Sequence, residues 1–95
     1  MITPKPTVGT TVTFLTQVTV SWYGKKQVFD AIVEGTVIKA YPKKDRYEVE
    51  WKDEDAGKKQ LLMVTITRIH SFEWGGILIY NPRRDKKLFQ GVGIW

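Results

Sequence analysis

Hydrophobic and polar residues alternate with a period of two along much of the chain. The first such stretch places apolar residues on one parity, namely Val12, Phe14, Val18, Val20 and Trp22. Threonine and serine occupy most of the positions between them. This alternation predicts strands that bury one face. The run Leu15-Thr16-Gln17 disturbs the pattern and indicates a bulge or a short turn.

The same reasoning predicts further strands between short polar turns. They are expected at residues 29–40, 47–52, 62–66, 77–80 and 88–95. Gly35 lies inside the longest of them, where glycine often permits a sharp bend. Nowhere do apolar residues keep the spacing of an amphipathic helix over three turns. Short strands with frequent turns are typical of all-β barrels and sandwiches.

We therefore predict an all-β fold, a small SH3-like barrel of about five strands. An OB fold is the nearest alternative, although it usually needs a longer chain and a helix. Residues 1–9 form an N-terminal entry segment, and residues 10–70 form the barrel. Residues 71–95 form a C-terminal extension that adds a β-hairpin, whose tip is the basic turn at residues 82–87.

Composition limits the classes of function. The chain has 95 residues, no cysteine and a net charge of +5. Disulfides and thiolate metal sites are therefore excluded, and no apolar run is long enough to span a membrane. The start of the sequence lacks the pattern of a signal peptide, which predicts an intracellular protein. A basic chain of this kind favours acidic partners, and nucleic acid is the first of them.

The charge is unevenly distributed. Residues 45–55 contain six of the ten acidic residues and two bases, a local charge of −4, so the remainder carries thirteen bases and four acids, or +9. Trp51 lies inside the acidic stretch. An aromatic ring among carboxylates attracts a cation, whereas the basic remainder attracts a polyanion.

Residues 18–69 resemble a Tudor-like domain, a member of the SH3-like barrels. The likeness rests on three short motifs, which are Val20-Ser21-Trp22, Phe29-Asp30-Ala31-Ile32-Val33 and Tyr47-Glu48-Val49-Glu50-Trp51-Lys52-Asp53. Tudor domains read methylated lysine or arginine in an aromatic cage, and relatives bind DNA or RNA. The resemblance implies a cage with Trp22, Phe29 and Trp51 as walls and Asp53 as the ionic partner. The fourth aromatic wall of many readers is missing, since Asp55 and Gly57 occupy that region.

The aromatic residues also have a simpler interpretation, because most large aromatics of small domains are buried in the core. The bases have two interpretations as well. Lysine doublets such as Lys43-Lys44 fall at predicted turns, where they serve solubility or contact nucleic acid. The predicted hairpin tip concentrates four bases around one acid, namely Arg83, Arg84, Lys86 and Lys87. A two-stranded ribbon with such a tip is able to follow phosphates or enter a groove.

Nothing in the sequence indicates catalysis. His70 is the only histidine, and no nucleophile, base and orienting group occur in a recognisable set. Glycine-rich phosphate loops are absent, so no cofactor is expected.

We expect a non-catalytic Tudor-like module that acts on chromatin or the nucleoid. It would bind a basic or methylated protein tail at the aromatic and acidic site and contact nucleic acid, DNA rather than RNA, through its basic turns. It would reside in the nucleus of a eukaryote, or in the nucleoid or cytoplasm of a prokaryotic or viral system. The alternatives are a stand-alone, sequence-nonspecific nucleic-acid-binding protein without methyl-reading, and a protein–protein adaptor.

Overall fold

The computed structural model describes residues 4–53 and 57–90, and it has the predicted all-β fold. Six strands follow one another along the chain, namely β1 (Thr11–Trp22), β2 (Lys25–Tyr41), β3 (Arg46–Asp53), β4 (Lys58–Thr65), β5 (Ile69–Trp74) and β6 (Ile77–Tyr80). Two single 3₁₀ turns interrupt them, Pro42–Lys44 between β2 and β3, and Ile66–Arg68 between β4 and β5. We call these the first and the second 3₁₀ turn.

All six strands form one antiparallel sheet in the order β4-β3-β2-β1-β5-β6. The first four strands form a meander, and the chain then crosses to the other side of β1, where β5 pairs. β6 forms a tight hairpin with β5. β5 was not among the strands predicted from the sequence, and β6 pairs with β5 rather than with a strand at residues 88–95. Within the described residues β4 and β6 are the two edges of the sheet, and no pairing between them closes a barrel.

The core lies on one face of this sheet. It contains ten buried apolar residues, namely Val12, Phe14, Val37, Tyr47, Val49, Trp51, Val64, Ile66, Ile69 and Phe72. Because they come from both halves of the sheet and form one cluster, the sheet curls around them. A register shift where β1 meets β5 brings both Ile69 and Phe72 onto the core face, although they are three positions apart in β5 and would face opposite sides of a regular strand.

Gly35 marks the place where β2 changes partners. β2 pairs with β1 from Lys25 to Thr36 and with β3 from Gly35 onward. A Cβ at Gly35 would lie 2.6 Å from Cγ1 of Val49 and 2.8 Å from the carbonyl oxygen of Glu50. The glycine therefore allows the backbone of β3 and the core to approach closely.

Beyond this point β1 and β2 pair only with each other. We call the two-stranded part, residues 15–32, the ribbon. Residues 21–30 are all exposed. The chain reverses at Tyr23 and Gly24, and β2 begins at Lys25, four residues before the predicted start at residue 29. The expected disturbance near Leu15 does not break the strand, since β1 is continuous, and Leu15 is buried on the face opposite Phe14.

The C-terminal part differs from the prediction in two respects. Residues 82–90 run through successive turns rather than forming the tip and second strand of a ribbon, because Asn81 and Arg83 tie them to the body of the sheet. The predicted boundary between residues 70 and 71 falls inside β5, which pairs with β1. Residues 91–95 of the predicted last strand lie outside the described residues.

Candidate nucleic-acid interface

The three predicted cage aromatics lie in different environments. Trp51 is 6% exposed and packs edge-on against Phe14 in the core, with ring centroids 6.3 Å apart. Phe29 and Trp22 lie on the ribbon and are 48% and 64% exposed. The core interpretation is therefore correct for Trp51, whereas Trp22 and Phe29 are accessible to a partner.

The register of the sheet keeps these rings apart. Trp51 lies opposite Gly35. Phe29 is six residues farther along β2, which corresponds to about 20 Å of strand. Trp22 lies farther still, opposite Lys25 at the end of the ribbon. The cage of Trp22, Phe29 and Trp51 is thus not assembled, and this expectation was wrong. Asp53 ends β3 opposite Lys58.

The basic C-terminal segment is anchored by Asn81, which is completely buried. Its side-chain amide donates hydrogen bonds to the carbonyl oxygens of Ile66, at 2.7 Å, and Ile69, at 2.8 Å. Its own carbonyl oxygen accepts a hydrogen bond from the backbone N–H of Arg83 at 3.0 Å. The segment therefore lies against the second 3₁₀ turn, and the hydrogen bond from the backbone N–H of Asp85 to the carbonyl of Thr67 extends that contact.

Arg83 makes a second connection, to the first 3₁₀ turn. Its guanidinium donates two hydrogen bonds to the carboxylate of Asp45, both at 3.0 Å. Lys5 Nζ lies 3.6 Å from the same carboxylate. Asp45 also accepts, through its backbone carbonyl, a hydrogen bond from the N–H of Ile66. Asp45 thus joins three parts of the chain that are distant in sequence.

Arg84 is held as well. Its guanidinium donates to the backbone carbonyl of Asn81 at 2.9 Å and lies 5.7 Å from the ring centre of Tyr80. The imidazole of His70 packs against the rings of Tyr80 and Phe89, each at 5.3 Å. Burial, and secondarily the charge of Arg84, lowers the pKa of His70 below 6.5. The imidazole therefore favours its neutral form.

Both 3₁₀ turns and residues 81–90 consequently meet at one end of the sheet, which we call the basic end. It carries nine of the fifteen lysines and arginines, namely Lys5, Lys43, Lys44, Arg46, Arg68, Arg83, Arg84, Lys86 and Lys87, against two acids, Asp45 and Asp85. The balance is +7 here and −2 in the rest of the sequence, where six bases meet eight acids. The fold thus concentrates the positive charge that the sequence distributes over separate turns.

The bases of this end fall into two groups. Lys5, Arg83 and Arg84 are partly buried and engaged with the protein, as described above. The exposed group comprises Lys43, Lys44, Arg46, Arg68, Lys86 and Lys87. Sequence reasoning selected four members of this group and missed Arg46, which begins β3, and Arg68, which ends the second 3₁₀ turn.

A groove of about 830 Å³ runs beside the engaged bases. Lys5 and Arg83 contribute its positive charge, and Val8 and Trp74 contribute exposed apolar surface. Trp74 is 40% exposed. The basic end thus combines cations with an accessible aromatic ring.

The phenol of Tyr47 lies beneath this end. Burial, and secondarily the negative charge of Asp45, raises its pKa above 10.0, while Arg83 opposes the shift. Its hydroxyl has no hydrogen-bond partner among the described residues. The aromatic body of Tyr47 therefore serves the core, and its hydroxyl remains neutral.

Among the described residues no group of three or more histidine, aspartate or glutamate side chains is placed to hold a metal ion. The helical segments of the described residues are the two 3₁₀ turns. Neither is long and apolar enough to cross a membrane. No family model, no curated protein and no solved structure matches the chain.

Proposed function

We propose that this protein is a non-catalytic binding module that contacts the phosphate backbone of nucleic acid, with DNA as the expected form, through its basic end. The observation that carries the proposal is the concentration of nine bases against two acids at one end of the sheet. Such a surface attracts a polyanion and releases its counterions on binding. The nucleus or the nucleoid is where this partner would be met.

The exposed bases are suited to phosphates rather than to base edges. They lie on turns around a compact end of the sheet, and contacts of this kind carry no sequence information. Arg83 and Arg84 play a supporting part, since their guanidinium groups hold the C-terminal segment in place. Binding should therefore be nearly independent of sequence and strongly dependent on salt.

A methylated protein tail is not part of this proposal, because the aromatic residues expected to enclose it are separated along β2. A protein–protein adaptor would use the same charges only to remain in solution. It would show no salt-dependent affinity for nucleic acid, which makes the two functions separable.

The test is a titration of fluorescein-labelled DNA at several salt concentrations. Six exposed bases imply a slope of roughly −5 for the logarithm of affinity against the logarithm of salt. Replacing both Lys43 and Lys44 by glutamine should make the slope less steep by about 2. The matched control replaces Lys58 and Lys59, a lysine doublet at the start of β4, and should leave the slope unchanged. Equal slopes in the two double variants would reject the basic end as the interface.

A further inference from the structure

The face of the ribbon that continues the core face carries an apolar stripe away from the body. Antiparallel partners share a face, so Val18 and Phe29 lie on the same face as Phe14, and Val20 and Trp22 follow them. Val18 still packs against the core. Phe29 and Trp22 are 48% and 64% exposed, so the stripe ends in open surface.

The turn at the end of the ribbon contains a tyrosine, Tyr23, where such turns usually have asparagine or glycine. Tyr23 and Gly24 both have positive φ angles, 49° and 76°. Two-residue turns of this type favour Asn-Gly or Gly-Gly, because a side chain is strained in the left-handed region. The hairpin of β5 and β6 follows that preference with Gly75 and Gly76, at 59° and 83°. Tyr23 is thus kept in a disfavoured conformation.

Packing does not explain this choice, since Tyr23 is 90% exposed. Its ring contacts Trp22 edge-on, with centroids 5.1 Å apart and planes at 87°. A strained backbone position whose side chain contributes little to the core is a feature of functional sites. The two rings together present aromatic faces to the surroundings.

The charge of the same region selects the partner. Between residues 16 and 29 the chain has two bases, Lys25 and Lys26, and no acid. Lys25 lies opposite Trp22 and therefore shares its face, whereas Lys26 lies opposite Ser21 on the other face of the ribbon. Aromatic rings beside cations are an arrangement that binds single-stranded nucleic acid, because nucleobases stack on the rings and phosphates pair with the cations.

We propose that the ribbon tip, residues 21–26, binds unpaired bases of single-stranded nucleic acid. The nucleobases stack on Trp22 and Tyr23, and an adjacent phosphate contacts Lys25. This inference deepens the proposed function and rests on it. The tip and the basic end lie at opposite ends of β2, so the two contacts are separable by mutation.

The primary measurement is the affinity for a labelled oligothymidylate of about 16 nucleotides. The variant Trp22→Ala should weaken binding about tenfold, as expected for the loss of stacking on one or two bases. Trp22→Phe, which retains an aromatic face, should keep most of the affinity. The control Thr19→Ala removes a side chain from the opposite face of the ribbon and should bind like the unmodified chain.

Tyr23→Asn separates binding from folding. Asparagine tolerates the left-handed region better than tyrosine does, so this variant should unfold at the same temperature as the unmodified chain or at a higher one. It should nevertheless bind oligothymidylate several-fold more weakly. A variant that is at least as stable and binds as well as the unmodified chain would show that Tyr23 has no part in binding.

Fluorescence provides an independent signal. The chain has four tryptophans, and stacking should quench the emission of Trp22, so the quenching caused by oligothymidylate should largely disappear in Trp22→Phe. Retention of the full quenching in that variant would place the stacking elsewhere and overturn the inference.

Other occupants of the tip give distinct results, each of which overturns the inference. A blue shift of Trp22 emission on neutral phosphatidylcholine vesicles, without quenching by oligothymidylate, would indicate a lipid surface. Self-association that is abolished by Trp22→Ala would indicate a second copy of the chain.

The same binding measurements test the proposed function independently of the stacking site. If duplex and single-stranded DNA bind with the same dependence on Lys43 and Lys44 and with none on Trp22, the stacking site fails while the basic end stands. If oligothymidylate binding depends on Trp22 but not on Lys43 and Lys44, the basic end fails while the stacking site stands. Absence of binding to any nucleic acid rejects both.

Discussion

Arg83 binds both carboxylate oxygens of Asp45, at 3.0 Å each, and thereby connects the C-terminal segment to the turn that precedes β3. Asp45 has a φ of 52°, a left-handed conformation that closes the first 3₁₀ turn. The ion pair thus holds a tight turn of the chain together with a segment that begins almost forty residues later. Asp45 also lies close to Lys5, so this one acid partly offsets the repulsion among the cations of the basic end.

The first prediction concerns the strength of this pair. Replacing Arg83 and Asp45 by alanine, singly and together, should give a coupling energy of about 1 kcal/mol in urea unfolding. The value is modest because both side chains are more than a third exposed, at 35% and 37%. It should decrease in high salt. The pair Lys59 and Glu50, 3.5 Å apart with a more exposed lysine, is the matched control and should couple more weakly.

The second prediction is that Asn81 contributes more to stability than either arginine. Asn81→Ala should reduce the free energy of unfolding by about 2 kcal/mol, since two buried carbonyls lose their donor. Asn81→Asp should cost about 3 kcal/mol or more at neutral pH, because a carboxylate would face those same carbonyls. The control Gln27→Glu makes the same chemical change on the exposed ribbon. Equal effects at the two sites would contradict the structure.

A third prediction tests the close approach at Gly35. Gly35→Ala should destabilise the fold by about 2 kcal/mol, because the new methyl group would overlap Val49 and the backbone of Glu50. The neighbouring Thr36 is exposed, so Thr36→Ala should cost less than about 1 kcal/mol. Thermal or urea unfolding of the two variants provides the comparison.

The fourth prediction concerns pH. The pKa of His70 is lower in the folded protein than its ordinary value of 6.5, so the unfolded chain takes up a proton first. The contribution of His70 to stability is therefore complete above pH 6.5 and is lost as the pH falls from there towards the pKa of His70 in the folded protein. His70→Gln should remove this share of the pH dependence. An imidazole titration by NMR that gave a value above 6.5 would contradict the burial of this ring.

The strands were predictable where one face is buried. In β3 the alternation of Tyr47, Val49 and Trp51 with charged residues reports directly which side chains enter the core, and all three are buried. The all-β class follows from equally local signals. Such features depend on the two-residue alternation of side chains along a strand and on the residue preferences of turns. Both are set by residues that are close together in the sequence.

The candidate site depended on information that is not local. Trp22, Phe29 and Trp51 lie on the same face of the sheet, yet β2 passes from β1 to β3 at Gly35 and separates them. Asn81 and Pro82 read as the start of a turn, and nothing nearby indicates that Asn81 binds carbonyls twelve and fifteen residues earlier. The contact between Arg83 and Asp45 is similarly invisible before the chain is folded.

The regular pairing of the two strands restricts how the length of the ribbon can change. Its strands meet in a regular ladder from Thr11 and Thr36 to Trp22 and Lys25. Deleting one rung would rotate the tip to the opposite face, whereas deleting two would shorten the arm and leave its aromatic side facing as before. Related sequences should therefore tolerate ribbons that differ in length by two residue pairs. Each such change would alter how far Trp22 extends from the sheet without changing the face on which it lies.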